Sequence, residues 1–246
     1  MQWLTFKKGI FCALRPQFWP LLALRVAPAI EHVAALSRFS FLTVVDVGAN
    51  RGQFAAIARR LFPKSKIYSF EPLSGPAATF IKAFGGDNRI RLFKNAIGPT
   101  SGSAPIYVTN HDDSSSLLKP ATTQRDIFGI ETERMDEIAV RRLSDCLTGN
   151  DLQAPALLKI DVQGGELSVL EGAVEFIDRF DAIYVECSYL ALYENQPLYA
   201  EIAGWADKHG FRLAGVHNQY VDPRHGPIQA DFLFLKADSS LVDSRK

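Results

Sequence analysis

Gly48 and Gly52 bracket Ala49, Asn50 and Arg51 between an apolar, β-branched run, Val44 to Val47, and a segment that places Phe54, Ile57, Ala58 and Leu61 at helical spacing. Such a glycine turn lets the backbone approach a ligand with no Cβ in the way, and the helix start behind it offers free N–H groups to an anion. Nineteen residues after Gly52, at the end of a second apolar run from Lys66 to Phe70, stands Glu71, followed by Pro72. An acid at that distance accepts hydrogen bonds from a ribose diol, so the two motifs together imply an adenosine-containing ligand. A dinucleotide fingerprint needs G-x-G-x-x-G, and here Asn50 stands where the second glycine would be. The missing glycine argues against a pyrophosphate, and the carboxylate of Asp46 beside the turn suits a cationic amino-acid tail better.

A second block, Leu157 to Glu166 (LLKIDVQGGE), repeats the change from strand to helix with acids in it. Asp161 falls at the carboxyl end of a strand and Glu166 in the first turn of the next helix, both toward the crevice if the sheet is doubly wound; an acid at a helix start also suits the dipole with no further role. Between the blocks, Asn95-Ala96-Ile97-Gly98 ends a third strand beside the first two turns, which places Asn95 and Ala96 to contact an adenine. The stretch His111 to Leu118 (HDDSSSLL) is long and polar for a plain loop, and its hydroxyl, carboxylate and imidazole groups, Asp113 among them, suit a polyol. Read without a ligand, it is a solvated loop of turn-forming residues. Glu186 is an acid inside an apolar strand, Asp181 to Cys187, and needs either a basic partner or an acceptor whose proton it takes. His217 and His225, in loops near that edge, read as capping or exposed histidines.

The elements that must position these groups alternate between strand and helix. Strands over 66–70 and 90–93 frame a helix over 77–84 that stops at Gly85-Gly86, and two short strands, 103–108 and 138–143, flank the polar insert. Strands over 211–216 and 230–236 close the sheet, the last of them antiparallel at the edge. The expectation is an α/β fold with a doubly wound, mostly parallel sheet. A chain of 246 residues holds one such sheet, expected over 41–246, behind an N-terminal helical extension over 1–40.

Lys plus Arg equals Asp plus Glu, 27 each, so the overall charge carries no footprint for nucleic acid. Cys12, Cys146 and Cys187 are odd in number and far apart, which suggests neither a disulfide framework nor a zinc site, and fits a reducing, cytoplasmic compartment. The extension differs from the rest: Lys7, Lys8, Arg15, Arg25 and Arg38 face one acid, Glu31, giving it +4 and leaving −4 to the remainder. Trp3, Phe6, Ile10, Leu14 and Phe18 recur at helical steps until Pro16 and Pro20 interrupt them, and a second helical piece is expected over 21–36. Arginines and prolines break every window long enough to span a membrane, and no small-residue cleavage site follows an apolar core. Residues 1–38 therefore read either as a peripheral membrane contact at the inner face or lid, or as helices packed on the sheet or in a homodimer; packing is expected, because apolar helical stripes are mostly core.

Taken together, VDVGANRGQF (45–54), FEP (70–72), NAIG (95–98), DDSSSL (112–117), LLKIDVQGGE (157–166), YVECS (184–188) and QADFLF (229–234) resemble the FkbM family of class I S-adenosylmethionine-dependent methyltransferases. The resemblance runs from Phe41 to Lys236 and implies a Rossmann-like sheet, S-adenosylmethionine as donor, and methylation of a hydroxyl on a small-molecule or lipid-linked sugar or a polyketide. Mapped onto this chain, the family's cofactor residues are Asp46, Gly48, Asn50, Gly52, Glu71, Asn95 and Asp161, with Gln53, Pro72 and Ala96 beside them. Methyl transfer needs the acceptor oxygen held in line and a base within hydrogen-bond reach. Asp161, Glu166, Glu186 and Asp113 are the candidates, in that order, and no metal site is expected because no compact D-x-D-type spacing demands one. Two rival readings are a non-catalytic nucleotide-binding α/β module and an NAD-dependent dehydrogenase.

Overall fold

The computed structural model describes residues 8–9, 11–239 and 241. Seven strands form one sheet: β1 (Thr43–Val47), β2 (Lys66–Phe70), β3 (Ile90–Phe93), β7 (Ala156–Ile160), β8 (Ala182–Ser188), β9 (Phe211–Asp222) and β10 (Gly226–Lys236). Their order is β3-β2-β1-β7-β8-β10-β9. β1 pairs in parallel with β2 on one side and with β7 on the other, so the chain reverses its direction of progress across the sheet at β1. The crevice at the carboxyl ends of β1 and β7 is therefore the topological switch point of a Rossmann-like sheet. The single antiparallel strand is β10, seated one place inside the edge between β8 and β9.

Both faces are covered, which is why the central strands are buried along their whole length and mostly apolar. Val44, Ile67 and Leu157 pack under Phe54 and Ile57 of α3 (Gln53–Leu61), while Val45, Leu158 and Ile183 pack under α6 (Glu166–Gly172) and α7 (Tyr199–Lys208). α4 (Ser74–Phe84) lies beside α3 and starts three residues before the periodicity predicts, because Ser74, Gly75 and Pro76 are good first-turn residues with no apolar signal.

A second sheet was not legible in the sequence. β4 (Ala96–Ile97), β5 (Gly102–Thr109) and β6 (Thr132–Arg141) pair in the order β4-β6-β5 over a small core of Leu73, Ile106, Val108 and Ile138. The strand expected over 103–108 is most of β5, whereas the one expected over 138–143 covers only the last four residues of β6 and runs past its end into a turn at Leu143–Asp145. Between them lie the polar insert and α5 (Thr122–Phe128). β9 is also longer than expected: it continues to Asp222, paired along β10, so His217 is a strand residue and only His225 sits in the turn, bonded to Asp222.

The extension is not one helical stripe. Trp3, Phe6 and Ile10 lie outside the described residues; of the remaining two, Leu14 is 73% exposed and Phe18 only 3%, so they do not share a face. The helix expected over 21–36 is two short ones, α1 (Trp19–Ala23) and α2 (Val33–Leu36), because Arg25 takes a left-handed φ of 59° and Pro28 follows. Phe18, Leu21 and Val26 pack on Phe80 and Phe84 of α4, and Leu36 and Phe39 join the core under α3. No helix among the described residues is long and apolar enough to cross a membrane. Since each buried side chain of this size contributes about 1.5–3 kcal/mol, deletion of residues 1–38 should yield insoluble protein or lower the thermal midpoint by at least about 5 °C. A soluble truncation that melts with the full chain would contradict this packing.

Candidate active site

β1 ends at Val47 and the chain turns at once, with Gly48 at φ 83°, Asn50 at 46° and Gly52 at 96°. A Cβ on Gly48 would run into the carbonyl oxygen of Asp161, so glycine is what lets this turn pass beside the end of β7. A Cβ on Gly52 would strike the ring of Phe84; that glycine seats α3 against α4 and, contrary to expectation, takes no part in the cavity wall. Glu71, buried at the end of β2, braces the turn. Its Oε2 accepts the Asn50 N–H at 2.9 Å and its Oε1 the Leu73 N–H at 2.7 Å.

These elements enclose a cavity of 280 Å³ at the switch point. Of the residues expected at a donor site, Gly48, Asn50, Gln53, Glu71, Pro72, Ala96 and Asp161 line it. Asp46 and Asn95 do not. Asp46 is fully buried beneath the turn, and Asn95 turns its amide away, to the Ala96 carbonyl at 2.9 Å and toward the Cys146 sulfur. Toward β2 and β3 the walls are apolar, with Phe70, Leu73, Ala96 and Ile97; toward β1 and β7 they carry polar groups.

The expected catalytic acids separate. Asp161 and Asp113 reach the cavity wall; Glu166 and Glu186 do not. Glu186 is clasped by two amides, Gln163 Nε2 at 3.1 Å and Gln229 Nε2 at 2.7 Å, and burial together with the charges of Asp161, Asp231 and Glu166 raises its pKa well above the usual range. Its hydrogen-bond partners are thus amides rather than a basic side chain. Glu166 accepts the Gly164 N–H at 2.8 Å and braces its own turn.

Burial pushes Glu166 up to about 7, against the N–H groups that pull it down. A folded carboxyl above its unfolded value of 4.5 binds its proton more tightly folded than unfolded, so the stability it contributes is present below pH 4.5 and is lost as pH rises toward 7. Glu166→Gln keeps the accepting oxygen but cannot titrate. Between pH 5 and pH 8 the wild type should therefore lose about 2–3 kcal/mol relative to the variant in urea unfolding, and a gap that stays constant would refute the shift.

Sequence reasoning missed several groups that complete the site. Lys159, two residues before Asp161, is buried with its Nζ 3.4 Å from Asp46 Oδ1 and 3.6 Å from Asp161 Oδ2. Burial works against its charge, but the two carboxylates outweigh burial and hold the pKa above the ordinary lysine value. Gln163, at a left-handed φ of 60°, donates to both Asp161 and Glu186 and accepts from Tyr193 Oη at 3.1 Å. The insert is pinned to this turn by Ser116 Oγ, which donates to the Gln163 carbonyl at 2.6 Å, so Ser115, Ser116 and Leu117 stand in the cavity wall. Lys8, Glu31 and His32 of the extension form a further wall, with Lys8 Nζ bonded to Glu31 Oε1 at 2.9 Å. No signal in the first forty residues links them to a site, since the link exists only after the extension folds back onto β8 and β10.

Comparison with known proteins gives the family of this chain. The model of the methyltransferase FkbM domain matches residues 46–213. The chain is 31% identical over 160 residues to the 2-O-methyltransferase NoeI of Sinorhizobium fredii strain NGR234, covering 62% of this chain and 66% of that protein. It is 26% identical over 194 residues to Methyltransferase 1 of Beauveria bassiana, covering 73% and 76% respectively. It is 29% identical over 152 residues to the 31-O-demethyl-FK506 methyltransferase FkbM of Streptomyces tacrolimicus, covering 52% of this chain and 58% of that protein. The chain thus spans just under two thirds of the length of the first of these relatives.

Proposed function

Because the chain belongs to the family of FkbM methyltransferase domains, we propose that it transfers a methyl group from S-adenosylmethionine to a hydroxyl of a sugar or related polyol. The observation that carries this reading is the cavity at the switch point, closed by the Gly48 turn, Glu71 and the end of β7. Its chemistry suits an adenosyl amino acid. The apolar walls by Leu73, Ala96 and Ile97 suit a purine, and Glu71 suits ribose hydroxyls. At the other end, Gln53 Oε1 and Glu31 Oε2 are buried with no hydrogen-bond partner among the described residues, and a cationic amino-acid tail supplies the donors they lack.

When bound, the donor supplies a methyl group on a sulfonium with a good leaving group, so the protein's task is positioning. Asp161, held by Lys159 and Gln163, sets a fixed negative charge at the β7 end of the cavity. Ser115 and Asp113 of the insert offer hydrogen bonds to a hydroxylated acceptor entering from that side. The acceptor class is supported by the names of two relatives, a 2-O-methyltransferase and a 31-O-demethyl-FK506 methyltransferase, both of which place the methyl group on oxygen. The test is incubation with methyl-labelled donor and a panel of methyl glycosides, inositols, lipid-linked glycans and polyketides, reading label in the product. Transfer to a hydroxyl supports the assignment; donor binding with no transfer to any of them would leave a non-catalytic module.

A further inference from the structure

We propose that His32 is the catalytic residue that takes the acceptor's proton, with Asp231 as its positioning residue; this rests on the methyl-transfer reading above. His32 closes a turn of the extension and stands in the wall of the same cavity as Asp161 and Gln163. Its Nδ1 lies 3.2 Å from Asp231 Oδ2 and 3.1 Å from the Tyr184 hydroxyl. Asp231 is buried in β10, and the same Oδ2 accepts from Tyr184 Oη at 2.9 Å and from Asn218 Nδ2 at 2.7 Å. Burial pushes that carboxyl up, but His32, Asn218 and Tyr184 outweigh it and hold it below the ordinary range.

An ionised acceptor at Nδ1 selects the tautomer with its proton there, leaving the Nε2 lone pair free. Nε2 has no partner among the described residues. The ring plane is fixed edge-on against Phe54, with centroids 5.5 Å apart, and against Tyr184, 5.4 Å apart. The groups facing it are Asp231 from β10, Tyr184 from β8, Asn218 from β9 and, from the extension itself, Glu31 paired with Lys8. Asp113 shares the wall with His32, and the other three acids are placed less well. Asp161 shares the Lys159 ammonium, Glu186 is occupied by two amides, and Glu166 lies off the wall. In the step, the oxygen–methyl bond forms as the methyl–sulfur bond breaks with its electron pair on sulfur. The hydroxyl proton passes to Nε2, and the imidazolium then gives it to solvent.

Two readouts test this. In long-range nitrogen–proton NMR of histidine-labelled protein with S-adenosylhomocysteine, the His32 signals, assigned by their loss in His32→Gln, should report the Nδ1–H tautomer, and Asp231→Asn should abolish that preference. An Nε2–H tautomer in the wild type would overturn the assignment without any acceptor. In the labelled-methyl assay on methyl glycosides and inositol, His32→Ala should lower kcat about 10²–10³-fold. KM and S-adenosylhomocysteine affinity should stay within about threefold, with added imidazole restoring rate, as it would not for a merely structural loss. A variant that binds the homocysteine product and transfers at the wild-type rate sinks the role of His32 alone. Wild-type protein that binds no S-adenosylhomocysteine, or binds it and methylates none of these acceptors, sinks the reading beneath it.

Discussion

Glu71→Ala should weaken S-adenosylhomocysteine binding about 100-fold, measured by equilibrium dialysis with labelled ligand, while Glu71→Gln should retain part of the affinity. The carboxylate has two tasks at once. It accepts the backbone N–H of Asn50 at 2.9 Å and of Leu73 at 2.7 Å, and so fixes both the glycine turn and the entry to α4. It also stands in the cavity wall beside Pro72, at the distance from the glycine turn where ribose hydroxyls are bound. Truncation leaves two N–H groups without their acceptor and removes the ribose contact; one lost hydrogen bond to a charged group is worth about 1.5–3 kcal/mol, and 100-fold corresponds to about 2.7 kcal/mol. An alanine variant with wild-type affinity would show that the ligand does not use this wall.

Asp46→Ala should cost about 3 kcal/mol of stability, or a fall of roughly 6–12 °C in the thermal midpoint for a chain of this size. The carboxylate is fully buried, with Lys159 3.4 Å away across the β1–β7 pair and Ser69 donating from β2 at 3.4 Å. Removing it leaves the Lys159 ammonium inside the sheet with Asp161 alone, and an uncompensated buried charge costs more than the pair contributes. The double variant Asp46→Ala with Lys159→Met removes both charges and should recover much of the loss. Equal destabilisation by single and double variants, in chemical unfolding, would show that the pair is not the cause. Donor binding should weaken as well, because the Gly48 turn rests on this carboxylate's strand.

How much was legible in the sequence depended on how local the signal was. The glycine turn, Glu71 and the ends of β1, β2 and β7 are each announced within ten residues by a buried-strand run giving way to glycine or proline. They arrive together because parallel strands end at one edge. Asp46 was legible as an acid near the turn but not as one buried against Lys159, since the β1–β7 pairing joins residues more than a hundred positions apart. Gly52 and Asn95 sit in the right motifs, yet the packing of Phe84 and Cys146 draws them away from the cavity. The small sheet was missed because β5 and β6 pair across the whole insert and carry mixed, half-exposed side chains. His32 was not weighed at all. Its partners are 152 residues away in Tyr184 and farther still in Asp231, and only the folded extension brings them together.

A calorimetric titration of the intact chain with S-adenosylhomocysteine tests the central claim most directly. Binding in the micromolar range at one site per chain, abolished or greatly weakened in Glu71→Ala and absent with NAD, is the expected result. No heat with S-adenosylhomocysteine, together with saturable heat from NAD, would contradict it.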